Sequence, residues 1–192
     1  RRKICNSILD AMIDKYLVIK NFLDESEKKL LTTYLEIYLR NNFVEFDFQD
    51  GASAGLGKDY IFEALLANKH KIMEQKTGLK LLPTYSYFRI YNKYAELKKH
   101  KDRPSCEISV TVSIGSCESY KWPIYIDGNP IFLEHGDAVI YKGCDYSHWR
   151  DEFLGDWHGQ CFLHYVNADG PNKEWALDKR RILGEKNEIY HN

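Results

Sequence analysis

From Pro83 almost to Asn167, the sequence alternates between apolar and polar or small residues and is broken at short intervals by turn-forming residues. Alternation with a period of two is typical of half-buried β-strands, because successive side chains of a strand point to opposite faces. Asp127-Gly128, between two short apolar runs, is typical of a tight hairpin turn. Seven or eight such strands predict a β-sandwich or β-barrel. The segments assigned to strands are 85–91, 105–114, 122–126, 130–133, 138–141, 146–150 and 160–166.

The sequence on either side of this stretch predicts helices. Asp24 followed by Glu27 forms a capping-box pattern, and leucines and tyrosines then recur at helical spacing from Leu30 to Leu39. A second helix is predicted over Asp59–Gln75, with apolar residues along one side. A C-terminal helix is predicted over residues 171–184. We expect the two N-terminal helices to pack outside the β-structure.

These elements predict a mainly β fold with flanking helices. A chain of 192 residues is long enough for one sizeable core and short for two, so a single domain over residues 1–192 is expected. It would consist of a helical part (1–80), a barrel (81–168) and the C-terminal helix. The glycine-rich segment Asp50–Gly57 fits no phosphate-binding spacing, and we predict a mobile loop at the rim of a site.

The composition argues against two kinds of partner. A net charge of −1 gives no electrostatic case for nucleic acid or an anionic membrane. No apolar run approaches the roughly 18 residues that a membrane span requires, so a soluble protein is expected. The five cysteines are odd in number and scattered, which favours reduced thiols in an intracellular, cytoplasmic protein. The sequence begins with Arg1 rather than Met, which suggests a fragment of a longer chain; its oligomeric state stays open.

A candidate metal site lies within the alternating stretch. His100 and Asp102 are two residues apart, and in an extended chain their side chains point to the same side. His148, in a later strand segment, is the best candidate for a third ligand. Two histidines and one carboxylate form the ligand set of non-haem Fe(II) oxygenases, which leaves positions on the metal open.

Several motifs together resemble the Fe(II)/2-oxoglutarate-dependent dioxygenases, and most closely their prolyl 4-hydroxylase-like branch. The likeness extends from Tyr16 to Asn167 and implies a double-stranded β-helix, or jelly roll. The motifs that carry it are Arg89-Ile-Tyr91 before His100-Lys-Asp102, the strand over 106–114, the run from His135-Gly136-Asp137 to Tyr141, and His148 with Phe162–Tyr165 beyond it.

The resemblance implies a reaction as well as a fold. His100, Asp102 and His148 would bind Fe(II), while 2-oxoglutarate and O2 would take the remaining positions, with ascorbate as a further candidate cofactor. The substrate would be hydroxylated as 2-oxoglutarate is converted to succinate and CO2. The implied substrate is either a peptidyl side chain, prolyl included, or a small amino-acid-like molecule.

The distal carboxylate of 2-oxoglutarate requires a cation, and here the sequence departs from the family. The family position, about ten residues after the second histidine, falls in Trp157–Gln160, which contains neither Arg nor Lys. Arg150 is the nearest guanidinium and could bind a carboxylate bidentately. Alternatively, Arg150 pairs with Asp151 or Glu152 at the surface, and His158 or Gln160 anchors the co-substrate.

Further residues are implied in the same site. Tyr91 matches the position whose hydroxyl assists the co-substrate carboxylate, and Ser113 is placed in the same pocket. Tyr85, Tyr87 and Arg89 share the strand parity of Tyr91 and would line the substrate side, although core packing competes as an interpretation.

Two other hypotheses stay open at this point. The chain could be a non-enzymatic jelly-roll binding module with a vestigial metal site. It could also be a cupin-like metalloenzyme, although the His-rich cluster of that class is absent.

Overall fold

The computed structural model describes residues 15–41, 53–116 and 121–185. Two α-helices, α1 (Glu25–Arg40) and α2 (Tyr60–Thr77), lie among ten strands in these ranges. The strands are β1 (Tyr16–Ile19), β2 (Ser53–Gly57), β3 (Leu81–Asn92), β4 (Leu97–His100), β5 (Ile108–Ser116), β6 (Ile124–Ile126), β7 (Asn129–Ile131), β8 (Ala138–Tyr141), β9 (His148–Arg150) and β10 (Trp157–Asn167). Short 3₁₀ segments occupy Pro104–Cys106 and Lys173–Lys179.

The strands form two antiparallel sheets. The larger has the order β1-β8-β5-β10-β3-β2, and the smaller has the order β4-β9-β6-β7. Most neighbours in the sheets, such as β5 and β10 or β4 and β9, are not consecutive in sequence, as in the crossed connections of a jelly roll. The prediction of a mainly β jelly roll with flanking helices is confirmed, as an open pair of sheets rather than a closed barrel.

The two faces of the larger sheet differ in chemistry. One face is apolar and packs with both helices in a single buried cluster that includes Leu35, Phe62, Phe88 and Val112. On the opposite face lie alternate residues that are polar or aromatic and buried. Because side chains of a strand alternate, the same strands supply both the main core and the polar lining of a site. No helix in the described part of the chain is long and apolar enough to span a membrane.

Both helices begin where the sequence predicts. The Asp24 side chain accepts a hydrogen bond from the Glu27 backbone N–H, and the Glu27 side chain accepts one from the Asp24 N–H, which completes the capping box of α1. Asp59 caps α2, and Gly78 ends it with a φ of 68°.

The predicted mobile loop over Asp50–Gly57 is wrong for its second half. Residues 53–57 form β2, which pairs with β3 at the edge of the larger sheet, while residues 50–52 lie outside the described ranges. Gly55 reflects close packing rather than mobility. A Cβ on Gly55 would lie 2.5 Å from the Tyr87 hydroxyl oxygen, so a side chain at this position would displace the tyrosine.

The predicted C-terminal helix over residues 171–184 is also wrong. Only a 3₁₀ segment forms, and its backbone turns left-handed at Leu177, Asp178 and Lys179. Tertiary contacts account for the difference, because the Asp178 carboxylate accepts two hydrogen bonds from Arg103, at 2.8 and 3.1 Å. Lys58 lies 3.1 Å from the same carboxylate. These ion pairs override the local helical preference.

Candidate metal and co-substrate site

The three predicted metal ligands meet at one edge of the smaller sheet. β4 ends at His100 and β9 begins at His148, and the two residues are cross-strand partners. Their ring centroids are 4.3 Å apart. Asp102 lies in the turn after β4, where its N–H donates to the Gly143 carbonyl oxygen at 2.9 Å. A Cβ on Gly143 would collide with the Asp102 carboxylate, so the glycine makes room for it.

Both histidines present Nε2 to the same carboxylate oxygen. Asp102 Oδ1 lies 3.6 Å from His100 Nε2 and 3.4 Å from His148 Nε2. Each Nδ1 lies beside a backbone carbonyl oxygen, that of Lys98 at 2.7 Å for His100 and that of Tyr146 at 3.1 Å for His148. A carbonyl oxygen can only accept, so each Nδ1 carries the proton in the neutral ring. Each Nε2 therefore keeps its lone pair for a metal.

This arrangement fits one metal ion. The two nitrogen–oxygen separations are short enough for a single ion to bond to all three residues at typical distances of about 2.0–2.2 Å. Burial would raise the pKa of the Asp102 carboxyl, but protons on the Nε2 atoms of His100 and His148, whose place a metal ion would take, hold that pKa well below its ordinary value. Asp102 is thus a carboxylate, which is the form that binds a metal.

A cavity of about 210 Å³ opens directly on these residues. The predicted substrate-side residues Tyr85, Tyr87 and Arg89 all line it, as parity along β3 predicts. The complete lining is Tyr85, Tyr87, Arg89, Leu97, His100, Asp102, Tyr141, His148, Phe162 and His164. The walls are largely aromatic, and Arg89 supplies a cation.

Arg150 lies in a buried polar cluster rather than at the surface. Its Nη1 donates to the Trp122 carbonyl oxygen at 2.6 Å, and its Nη2 donates to Gln160 Oε1 at 2.7 Å. Gln160 Nε2 in turn donates to the Tyr91 hydroxyl at 3.1 Å. Within the described ranges, no carboxylate lies within ion-pair distance of Arg150. The alternative in which Arg150 pairs with Asp151 or Glu152 is therefore wrong.

The Arg150 guanidinium is a buried charge that lacks a described counter-ion. Arg150 is 2% exposed, and its Nε has no hydrogen-bond partner. The guanidinium stacks over Trp122, 4.5 Å from the ring centroid. Burial lowers the pKa of Arg150 to about 10, so the group keeps its charge at neutral pH. A buried charge without a partner is costly, which favours binding of an anion here.

Ser113 and His158 lie beside this cluster. Ser113 is directly opposite Gln160 in the register of β5 and β10, and its buried Oγ has no hydrogen-bond partner. His158 packs edge-on against Trp122. Burial and the nearby Arg150 charge hold the pKa of His158 well below its ordinary value. His158 is therefore neutral, which argues against a cationic role. None of Tyr91, Ser113, Arg150, His158 and Gln160 lines the cavity itself.

Two polar residues of the site, Ser109 and His164, are not among the site residues predicted from the sequence. Ser109 donates a hydrogen bond to Asp102 Oδ2 at 2.9 Å, and His164 Nδ1 lies 3.0 Å from the same hydroxyl oxygen. The sequence favours a structural role for His164, because the predicted metal site already has two histidines, yet His164 lines the cavity. Strand alternation in the sequence could have identified both residues, because Ser109 and His164 are cross-strand partners on the polar face of β5 and β10.

Comparison with known sequences gives no match: no protein-family description fits the chain, and no curated protein is similar to it. Solved structures do match. A prolyl-4-hydroxylase from Pseudomonas putida aligns with a TM-score of 0.65 and 14% identity, over 83% of this chain and 99% of that one. The epimerase SnoN, in complex with Fe3+, alpha ketoglutarate and nogalamycin RO, aligns with a TM-score of 0.67 and 10% identity, over 83% and 82%.

A viral structure extends the set. The collagen prolyl hydroxylase vCPH from Paramecium Bursaria Chlorella virus-1, in its 2OG complex, aligns with a TM-score of 0.62 and 11% identity, over 83% of this chain and 98% of that one. At such identities the likeness is one of fold. The chain has the jelly-roll fold of these oxygenase structures.

Proposed function

We propose that this protein is an Fe(II)- and 2-oxoglutarate-dependent oxygenase. The observation that carries the proposal is the meeting of His100, Asp102 and His148 at the cavity, with both Nε2 atoms directed at one carboxylate oxygen. Two neutral nitrogens and one carboxylate suit Fe(II) and leave positions for a co-substrate and O2. Bound iron would supply oxygen activation coupled to the decarboxylation of 2-oxoglutarate to succinate and CO2.

The residues around the metal have separate tasks in this proposal. His100, Asp102 and His148 hold the ion on one face and leave its other face to the cavity. Arg150 is assigned to the distal carboxylate of 2-oxoglutarate, since its charge is buried and lacks a described carboxylate partner. Because Arg150 does not line the cavity in this structure, this contact requires the cavity to extend towards β9 when the co-substrate binds. Gln160 orients the guanidinium, and the Tyr91 hydroxyl and Ser113 Oγ are polar groups available beside them.

The substrate enters from the aromatic side of the cavity. Tyr85, Tyr87 and Phe162 offer flat apolar surface, and Arg89 offers a cation that lies over the Tyr87 and Tyr91 rings at 5.7 and 5.4 Å. We propose hydroxylation of a peptidyl side chain, prolyl included, or of a small amino-acid-like molecule. The likeness to two prolyl hydroxylases supports the first of these.

Anaerobic addition of Fe(II) and 2-oxoglutarate tests the proposal directly. The complex is expected to show a weak visible charge-transfer band, which Zn(II) in place of Fe(II) does not give. Admission of air should then yield succinate. If the protein shows neither band nor succinate while a known oxygenase shows both, the proposal fails and a binding module with a vestigial metal site becomes the better interpretation.

Replacing Arg150 with alanine is expected to raise the 2-oxoglutarate concentration needed for half-maximal succinate formation by 10-fold or more. The lost charge-assisted contact is worth roughly 1.5–3 kcal/mol. Arg150→Lys keeps the charge but cannot bind a carboxylate bidentately, so an intermediate rise in the required 2-oxoglutarate concentration is expected. If Arg150→Ala leaves the requirement unchanged while Arg89→Ala raises it, Arg89 is the anchor instead.

A further inference from the structure

His164 is a buried histidine in which one ring nitrogen contacts a protein hydroxyl and the other faces the cavity. Its ring stacks against Phe162, with an interplanar angle of 4°, and lies 4.7 Å from the Tyr85 ring. Nδ1 lies 3.0 Å from Ser109 Oγ. In the described part of the chain, Nε2 has no hydrogen-bond partner, although the residue is only 5% exposed and lines the cavity.

The hydrogen bonds of the Ser109 hydroxyl determine which nitrogen of His164 carries the proton. The Ser109 hydroxyl has a single hydrogen, and two groups that can only accept compete for it: Asp102 Oδ2 at 2.9 Å and the Cys106 carbonyl oxygen at 3.0 Å. The remaining contact of the hydroxyl, with His164, then needs its hydrogen from the histidine. Nδ1 is therefore the donor, and Ser109 Oγ accepts.

The second ring nitrogen then has the opposite character. Burial lowers the pKa of His164 to about 4, so the ring is neutral at physiological pH and holds one proton. With that proton on Nδ1, Nε2 presents a lone pair to the cavity. Nε2 faces the cavity, so a ligand bound there that carries a hydrogen-bond donor can supply the partner that Nε2 lacks among the described residues.

We infer that His164 Nε2 is a specificity-determining acceptor, which selects a substrate that presents a neutral N–H or O–H group beside a flat apolar portion. This inference deepens the proposed function and rests on it. The flat portion would lie against Tyr85 and Phe162, which flank the His164 ring. A prolyl nitrogen in a peptide has no hydrogen to donate, so for a prolyl substrate the donor is the amide of a neighbouring residue.

The tautomer can be measured without knowledge of the substrate. The full chain, labelled with ¹⁵N-histidine and loaded with Zn(II) and 2-oxoglutarate, is diamagnetic and suits two-bond ¹⁵N–¹H correlation. The His164 signal is assigned by its loss in His164→Phe. We expect a neutral ring protonated at Nδ1, and protonation at Nε2 would overturn the inference.

A matched pair of serine substitutions tests the cause of the tautomer. Ser109→Ala removes the acceptor for Nδ1–H, so the His164 signals are expected to shift towards the Nε2-protonated pattern. Ser86→Ala removes a buried hydroxyl that contacts Glu63 rather than His164, and it should leave the His164 signals unchanged. Equal effects of the two substitutions would contradict the assigned role of Ser109.

Phenol and anisole serve as probes for the acceptor, because they match in shape and only phenol has a donor. Phenol is expected to shift the His164 Nε2 resonance saturably, and anisole much less. His164→Phe should weaken phenol binding by roughly 2- to 12-fold, the range of one net hydrogen bond, and leave anisole binding unchanged. Equal shifts from both probes, or none from either, would overturn the inference.

The same spectra separate this inference from the proposed function. Zinc ligation should displace the Nε2 signals of His100 and His148. If these signals do not respond to zinc, the metal site fails while the tautomer of His164 is still observed. If they respond and His164 is protonated at Nε2, only the inference fails.

Discussion

Replacing Asp102 with alanine is expected to abolish metal-dependent turnover of 2-oxoglutarate. Asp102 Oδ1 is the atom to which both histidine Nε2 atoms are directed, so its removal leaves two ligands and no negative charge. Hydrogen-bonding partners of metal ligands alone are worth about 10- to 100-fold in affinity or activity. Loss of a ligand should exceed this, and we expect a fall of at least about 100-fold in both Fe(II) affinity and succinate formation.

Calorimetric titration with the metal and a succinate assay check this result, and thermal unfolding verifies that the fold persists. Asp145→Ala is a matched control, because it removes an exposed carboxylate three residues before His148. It should leave both readouts unchanged. Turnover retained in Asp102→Ala would show that a different carboxylate binds the metal.

Replacing Glu63 with alanine is expected to lower the free energy of unfolding by about 3–5 kcal/mol, since it leaves a buried charge without its partner. Glu63 Oε2 lies 2.9 Å from Arg180 Nη1, and the two side chains are 3% and 1% exposed. The carboxylate also accepts hydrogen bonds from the Ser86 N–H at 2.7 Å and from the Gly184 N–H at 2.8 Å. Glu63 therefore connects α2, β3 and the C-terminal segment.

Urea unfolding measures this change, and two further variants isolate its cause. Glu185→Ala breaks the ion pair with Arg181, in which the arginine side chain is 89% exposed, and should barely shift the midpoint. Replacing Glu63 and Arg180 together with leucine removes both charges, so part of the lost stability should return, while the Ser86 and Gly184 N–H groups stay without their acceptor. A Glu63→Ala midpoint equal to that of Glu185→Ala would contradict a structural role for the buried pair.

Local chemistry made much of the fold predictable. The capping box at Asp24 and the cap at Asp59 act within one helical turn, so the sequence places both helix starts correctly. Strand parity likewise places Tyr85, Tyr87 and Arg89 on one wall of the cavity. In each case the physical cause spans only a few residues, and the sequence pattern contains it.

The two wrong elements have causes that lie far along the chain. Glycines at positions 55 and 57 resemble a loop, but they lie in β2, and at position 55 a Cβ would collide with the Tyr87 side chain. The segment 171–184 has helical composition, yet Asp178 pairs with Arg103 and Lys58, more than 70 residues away in sequence. The sequence around Asp178 does not reveal these distant partners, so helix propensity alone wrongly predicts a helix over residues 171–184.

The sequence by itself determined the alternating strands and the His-x-Asp pair, because alternation and close spacing are local properties. The jelly roll and the third ligand, His148, followed from the resemblance to a known family. Only the tertiary structure decided how the cation after His148 is used. Arg150 meets Gln160, and Gln160 meets Tyr91 from 69 residues away, because β3, β9 and β10 converge in the interior. Desolvation there turns an ordinary arginine into a buried charge without a described carboxylate partner, and burial depends on the packing of the whole chain.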